Sequence, residues 1–139
     1  MATDELTAFE SALSRLSDAL AQPKSEWLRD ASIQRFEFTI ELAWKTLARF
    51  AQREGIECAS PRQAFRAAFK LGWIEDDDIW LAMVEDRNFA THTYNEKLAE
   101  ELYSRLPGYR DALSRLSERL RKVAEPPEEA GEESSPKAD

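Results

Sequence analysis

The chain has 139 residues, of which 42% are hydrophobic and 10% aromatic, and this size and composition predict one soluble globular domain. Its formal net charge of −8 disfavours nonspecific binding to a polyphosphate backbone, which depends on many Lys and Arg contacts. Cys58 is the only cysteine, so we expect neither an intrachain disulfide nor a cysteine-based zinc site, as suits a reducing cytoplasm.

The sequence shows no sign of export or membrane insertion. The first residues contain no basic run followed by an apolar segment, and nowhere do eighteen apolar residues follow one another. We therefore expect a cytoplasmic protein that has no membrane partner.

Apolar residues recur with the period of an α-helix along the chain, and no run alternates with the period of a strand. These patterns predict an all-α fold. The first helix is expected over about residues 4–20 and should end before Pro23. The second is expected over about residues 29–53, and Gly55 is placed to end it.

A short third helix is predicted to follow, because Ser60 is a favourable cap and Pro61 suits the first helical position. It should run to Leu71. Residues 76–78 are all aspartates, which complement the dipole at the start of a fourth helix. Capping is a better account of them than a metal site, because consecutive carboxylates cannot all converge on one ion. The residues of the third helix expected to face the core are Ala64, Phe65, Ala68 and Phe69.

Arg87 continues the apolar stripe of the fourth helix, which contains Ile79, Trp80, Met83 and Val84. A guanidinium in such a stripe must be paired, lie at an interface or serve an anion. Glu37 and Glu41 of the second helix are the acids with which it would pair.

His92 follows Arg87 by five residues, which places the two side chains about 140° apart on an unbroken helix. The chain must therefore bend between them, or a second subunit must complete the site. Thr93 and Glu96 form a capping-box pattern that predicts a new helix start and leaves His92 near backbone N–H groups that favour anions.

The last helix is expected over about residues 94–121, with Pro107-Gly108 kinking or dividing it. Four to five helices with short connections predict an up-and-down bundle whose second and fourth helices form the middle. We assign residues 1–124 to this bundle. Residues 125–139 contain six acidic residues and one lysine, and their composition predicts a disordered acidic tail.

His92 is the only histidine, and a neutral imidazole is the side chain best suited to proton transfer near pH 7. Arg87 and Asn88, followed by His92 and Tyr94, match the R-N-x3-H signature of HEPN proteins, extended to R-x4-H-x-Y. With residues 30–47 and 60–65, this segment resembles the nucleotidyltransferase substrate-binding proteins of the HEPN superfamily. The resemblance covers about residues 9–120 and implies a HEPN-like helical bundle.

The resemblance implies a toxin of a toxin–antitoxin pair that cleaves RNA without a metal or other cofactor. His92 would transfer protons, Arg87 would stabilise the phosphate, and Asn88 would hold the scissile group or orient the pair. HEPN proteins usually form dimers through this region, so a homodimer or higher homo-oligomer would bring two copies of the motif to one cleft. A small nucleotidyltransferase partner would inhibit the toxin by transferring AMP to Tyr94, which blocks the cleft with a bulky charged group.

Two other functions remain open. The chain could be a non-catalytic subunit that binds a substrate or nucleotide for a partner nucleotidyltransferase, with Arg87 and His92 binding phosphate. It lacks the Gly-Ser and Asp-x-Asp pattern and the glycine-rich loop of a transferase, so it is not expected to be one itself. Alternatively it could be an interaction module in which Arg87 only pairs with Glu37 or Glu41 across the bundle.

Overall fold

A computed structural model describes residues 3–75, 78–92 and 94–125. Within these ranges the chain forms five α-helices, one short 3₁₀ turn and no strand, which confirms the predicted all-α class. The helices are α1 (Thr3–Leu20), α2 (Glu26–Arg53), α3 (Pro61–Lys70), α4 (Asp78–Phe89) and α5 (Glu96–Ala124), and the 3₁₀ turn spans Ala90–His92.

Side-chain caps determine where α2 and α3 begin. The Ser25 hydroxyl accepts a hydrogen bond from the Leu28 N–H at 3.0 Å, so α2 starts three residues earlier than apolar periodicity predicted. Ser60 caps α3 as expected, and Pro61 is its first residue. Gly55 follows the end of α2 with φ of 84°, a conformation that glycine adopts without steric cost.

The centre of the bundle is α2, which contacts every other helix and the 3₁₀ turn. Helix α5 shares this position, because it packs against both α1 and α2, whereas α4 makes no contact with α1 among the residues described. The fourth helix therefore does not form the middle as predicted. Aromatic pairs join the layers: Phe36 stacks on Tyr109 with ring centroids 5.5 Å apart, and Phe65 stacks on Trp80 at 5.1 Å.

The prediction that Phe69 faces the core is wrong, and of the two outcomes predicted at Pro107-Gly108, a kink or a division of the last helix, the division is excluded. Phe69 is 48% exposed, because it lies in the last turn of α3, beyond the core contact made by Phe65 and Ala68. Helix α5 is not divided at Pro107. Pro107 is exposed, so its ring lies on the solvent side of the helix. Residues of the opposite face, including Leu106 and Tyr109, are buried in the core and stabilise the helix through the proline.

Three predicted features fall wholly or partly outside the described residues: two of the three aspartates (residues 76 and 77), Thr93, and all of the acidic tail but its first residue. The third aspartate, Asp78, opens α4, where its charge suits the helix dipole. Helix α5 begins at Glu96 rather than near residue 94, and its N-cap is Asn95, whose side-chain oxygen accepts from the Leu98 N–H at 3.1 Å. The assignment of residues 125–139 to a separate tail stays a prediction. No helix in the described ranges is long and apolar enough to span a membrane.

Candidate functional site

The α-helix that contains Arg87 ends before His92, which agrees with one of the two predicted alternatives, a bend between these residues. Arg87 lies in the last turn of α4, and the more tightly wound 3₁₀ turn that follows ends at His92. The Asn95 N–H donates to the His92 carbonyl at 2.9 Å, which fixes the bend before α5 begins. The two side chains therefore belong to different local structures and need not diverge as they would on one helix.

His92 and Tyr94 are in direct contact. The His92 Nδ1 and the Tyr94 hydroxyl oxygen are 3.0 Å apart, and the two rings meet edge-on with centroids separated by 5.6 Å. When the neutral imidazole carries its proton on Nε2, the hydroxyl donates to Nδ1. Tyr94 is 80% exposed, so its hydroxyl is accessible to a modifying enzyme while it lies beside the imidazole.

Arg87 is oriented by an acid of α2. Its Nη1 donates to Glu41 Oε1 at 2.6 Å, and Lys45 Nζ lies 3.3 Å from the other carboxylate oxygen of Glu41. Of the two acids predicted as partners, Glu41 therefore forms the ion pair. Burial raises the pKa of the Glu37 carboxyl, and the nearby positive charge of Arg87 partly opposes this increase.

Asn88 follows Arg87 and is exposed, so its carboxamide is accessible from solvent. The backbone around it is ordered by Thr91, whose hydroxyl donates to the Asn88 carbonyl at 3.5 Å. The structure thus places Arg87, Asn88, His92 and Tyr94 on one short segment that runs from the end of α4 to the start of α5.

A buried carboxylate directly before Arg87 attaches α4 to α5. Asp86 is 7% exposed and accepts two hydrogen bonds from the Arg105 guanidinium, at 2.7 and 3.0 Å. The Tyr109 hydroxyl donates to the same carboxylate at 2.6 Å. Sequence reasoning missed this network, although Asp86 follows the buried Met83 by one helical turn and Arg105 and Tyr109 are four residues apart. It fixes the end of α4 and hence the backbone that carries Arg87.

A second missed network fixes the other side of the bend. The Arg29 side chain is 2% exposed and donates to Asp30, Glu96 and Glu100 at 2.8 to 3.0 Å. The hydrogen bond to Glu96 raises the pKa of Arg29 above its usual value, and in return Arg29 lowers the pKa of Glu96. Because Glu96 and Glu100 lie in the first two turns of α5, the network joins the start of α5 to the start of α2.

A shallow cavity of about 300 Å³ lies between α2 and the 3₁₀ turn. Its polar side chains are two carboxylates and one carboxamide. They provide hydrogen-bond acceptors, and no Lys or Arg side chain among the described residues lines the cavity. Across the described ranges, no group of three or more His, Cys, Asp or Glu side chains is arranged to hold a metal ion. The residues lining the cavity are Asp30, Ala31, Ile33, Gln34, Glu37 and Ala90.

The Asp86 network predicts a loss of stability in alkaline solution. Burial, reinforced by Asp86, raises the folded-state pKa of Tyr109 above its ordinary value of 10.0. The stabilising contribution is complete below that ordinary value and is lost as the pH rises from it towards the higher folded pKa. Urea unfolding followed between pH 8 and about pH 11 should show a steeper decline for the wild type than for Tyr109→Phe. Parallel declines would mean that Tyr109 does not titrate differently in the folded and unfolded states.

Comparison with known proteins shows similarity over most of the chain. The family model described as nucleotidyltransferase substrate binding protein like matches residues 4–122. A Thermus thermophilus protein of known crystal structure is 40% identical with a TM-score of 0.77, and the match covers 81% of this chain and 98% of that one. A second structure, from Haemophilus influenzae, is 27% identical with a TM-score of 0.76, and the match covers 84% of this chain and 98% of that one. It is described as revealing the fold of a substrate-binding domain of a nucleotidyltransferase.

A curated relative carries a functional name. The chain is 32% identical over 95 residues to a Haemophilus influenzae protein named "Probable ribonuclease HepT". The match covers 65% of this chain and 65% of the length of that relative.

Proposed function

Because the chain belongs to the nucleotidyltransferase substrate binding protein like family, we propose that it is a metal-independent endoribonuclease. His92 transfers protons, Arg87 stabilises the phosphate, and Asn88 orients the scissile group. The protein acts as the toxin of a toxin–antitoxin pair, and a small nucleotidyltransferase inhibits it by transferring AMP to Tyr94. A relative named as a probable ribonuclease supports the first part of this proposal.

The observation that supports the proposal best is the contact between His92 and Tyr94. An imidazole and an exposed phenol 3.0 Å apart place a proton-transfer group and a modifiable hydroxyl at one point. Arg87 supplies a permanent cation five residues away, across a bend that the networks around the buried Asp86 and Arg29 fix. Proton transfer, phosphate stabilisation and control by modification are thereby available from one segment.

The proposed reaction is internal transesterification of RNA. A histidine accepts the proton of the 2′-hydroxyl, whose oxygen forms a bond to phosphorus while the bond from phosphorus to the 5′-oxygen breaks. A second proton donor protonates the leaving 5′-oxygen. The arginine offsets the negative charge that develops on the phosphorane oxygens. Each protomer has one histidine, so a dimer supplies the base and the acid together.

The test of this reaction uses an RNA oligonucleotide that the protein cleaves and the same oligonucleotide with a 2′-deoxy nucleotide at the cleavage position. We expect cleavage of the first in EDTA, with a 2′,3′-cyclic phosphate and a 5′-hydroxyl as the new ends. The deoxy version should resist cleavage, because its nucleophile is absent. Cleavage of both oligonucleotides at equal rates would contradict internal attack by the 2′-hydroxyl.

An exposed aromatic side chain beside the motif supports the dimer. Phe89 lies at the end of α4, two residues after Arg87, and is 50% exposed. Exposed aromatic residues are typical of protein interfaces. We expect Phe89→Glu to shift the protein from dimer to monomer in sedimentation, with Phe69→Glu as a control on a half-exposed phenylalanine of α3. Equal effects of the two substitutions, or none from either, would argue against an interface at this face.

Control by modification rests on the accessibility of Tyr94. Its hydroxyl loses a proton to solvent as the oxygen attacks the α-phosphate of ATP in the partner's active site; a tyrosyl–phosphate bond forms, the bond between the α- and β-phosphates breaks, and pyrophosphate leaves. Wild-type protein incubated with the cognate nucleotidyltransferase, Mg²⁺ and ATP should gain the mass of one AMP group per acceptor and lose ribonuclease activity. Tyr94→Phe should stay unmodified under the same conditions, whereas Tyr103→Phe should be modified like the wild type. Full modification of Tyr94→Phe would place the acceptor elsewhere.

A second candidate function is a non-catalytic subunit that binds a substrate or nucleotide for a nucleotidyltransferase. The description of the Haemophilus influenzae structure favours it. Under this function Arg87 and His92 bind phosphate without turning it over. Intact RNA after incubation with folded dimer, together with saturable binding of a nucleotide that Arg87→Ala weakens, would favour this second function over the first.

A further inference from the structure

We propose that Glu41 is a positioning residue: it holds Arg87 so that the free edge of the Arg87 guanidinium faces the scissile phosphate. This inference rests on the proposed ribonuclease function and adds a residue of α2 to a site otherwise formed by residues 87–94. The observation behind it is the contact of 2.6 Å between Arg87 Nη1 and Glu41 Oε1.

Within the described part of the chain, the contact engages one nitrogen of Arg87. Among the described residues, Nη1 is the only Arg87 atom with a hydrogen-bond acceptor, and 30% of the side chain is exposed. A guanidinium is a rigid planar fork, so fixing one nitrogen fixes the directions of the remaining N–H groups. Those groups keep the geometry that binds two phosphate oxygens at once.

Glu41 is itself restrained, which distinguishes it from a mobile surface acid. Its second oxygen lies 3.3 Å from Lys45 Nζ, one helical turn further along α2. Helix α2 is the central element of the bundle, so the carboxylate is attached to the most extensively packed part of the fold. On the other side, Asp86 fixes the α4 backbone next to Arg87. Both ends of the Arg87–Glu41 pair are therefore held.

The half-exposed pair contributes little to stability, so its main effect should appear in catalysis. Ion pairs between partly exposed side chains typically contribute about 0–1 kcal/mol to folding. Misplacement of a catalytic group by about 1 Å can lower a rate about 100-fold. Loss of Glu41 should therefore reduce kcat more than it changes KM, because a loosely held Arg87 still attracts the RNA but no longer meets the transition state in the right orientation.

The experiment compares Glu41→Ala and Glu41→Gln with Glu85→Gln as a matched control. Glu85 lies on α4 two residues before Arg87 and pairs with Arg62 at 4.0 Å, so it offers the same chemical change without contact to Arg87. We expect kcat to fall about 10- to 100-fold in Glu41→Ala with KM changed less than about threefold. Glu41→Gln retains an oxygen acceptor and should recover part of the loss, whereas Glu85→Gln should match the wild type.

A second readout does not need turnover. The side-chain N–H signals of Arg87 are followed by NMR while an uncleavable 2′-O-methyl RNA oligonucleotide is added. In the wild type, the Arg87 signal should have a distinct chemical shift that changes when RNA is added. In Glu41→Ala, its chemical shift should move towards the values of exposed arginines. An unchanged Arg87 signal in Glu41→Ala would overturn the positioning role, as would an undiminished kcat.

The outcomes separate this inference from the proposed function. RNA left intact by the wild type would overturn the ribonuclease function, and the NMR signals would then decide the positioning role alone. Cleavage by the wild type with an equal kcat in Glu41→Ala would leave the ribonuclease function standing and remove Glu41 from it. A KM increase with constant kcat would also overturn the inference, because it would make Glu41 a contributor to binding only.

Discussion

His92→Ala is expected to lower the rate of RNA cleavage by about 100- to 10,000-fold, the range typical of the loss of a general acid or base. In the proposed dimer each chain contributes one histidine, so a single substitution removes both proton-transfer groups. The measurement is the initial rate of cleavage of a labelled RNA under single-turnover conditions. Imidazole added to the His92→Ala protein should restore part of the activity, because it can occupy the space left by the side chain.

The fold should tolerate this substitution, so the loss can be assigned to chemistry. The side chain of His92 is half-buried, and its hydrogen bond is to Tyr94, which is 80% exposed. The urea midpoint of His92→Ala should therefore stay close to that of the wild type. Tyr94→Phe, which removes the same hydrogen bond and keeps the imidazole, serves as the control and should retain activity within about tenfold. Full activity in His92→Ala would exclude His92 as the proton-transfer residue.

Asp86→Ala is expected to lower the free energy of unfolding by about 2–4 kcal/mol. The substitution leaves the buried Tyr109 hydroxyl without an acceptor, which alone costs about 1–3 kcal/mol. Arg105 also loses its partner, but 44% of its side chain is exposed, so water replaces part of the interaction. Equilibrium unfolding in urea at pH 7 measures the change.

Asp111→Ala is the matched control for this prediction. Asp111 also accepts from an arginine, Arg110, at 2.8 Å, but its side chain is 59% exposed. Its loss should change the stability by less than about 0.5 kcal/mol. If Asp86→Ala and Asp111→Ala destabilise equally, the network between α4 and α5 does not fix the end of α4, and the orientation of Arg87 has another source.

Periodicity predicted the helices well, because each apolar stripe is a local property of the chain. The C-terminal ends of α1 and α2 followed from Pro23 and Gly55, and the start of α3 followed from Ser60 and Pro61, because these residues act on their immediate neighbours. The start of α5 was predicted less well. Thr93 and Asn95 are both favourable caps two residues apart, and the choice of Asn95 depends on the length of the 3₁₀ turn before it.

The sequence suggested the candidate site residues, but it did not predict the hydrogen-bond and ion-pair partners that surround them. The angle between Arg87 and His92 on a helix predicted that either the chain bends between them or a second subunit completes the site. It did not identify the partner of Arg87, because Glu37 and Glu41 lie one turn apart on the same face of α2 and only packing decides between them. Asp86 and Arg29 were missed for a related reason. Apart from Asp30, which directly follows Arg29, their partners lie 19 to 71 residues away, and no local pattern links charges across that separation.

One measurement tests the proposed ribonuclease function most directly: incubation of the purified protein with a mixed tRNA pool in EDTA, beside Arg87→Ala and His92→Ala proteins shown to be folded. We expect the wild type to cleave the RNA and each substitution to remove nearly all of this cleavage. Intact RNA with the folded wild-type protein across a range of pH and salt, or undiminished cleavage in both variants, would contradict the proposed function.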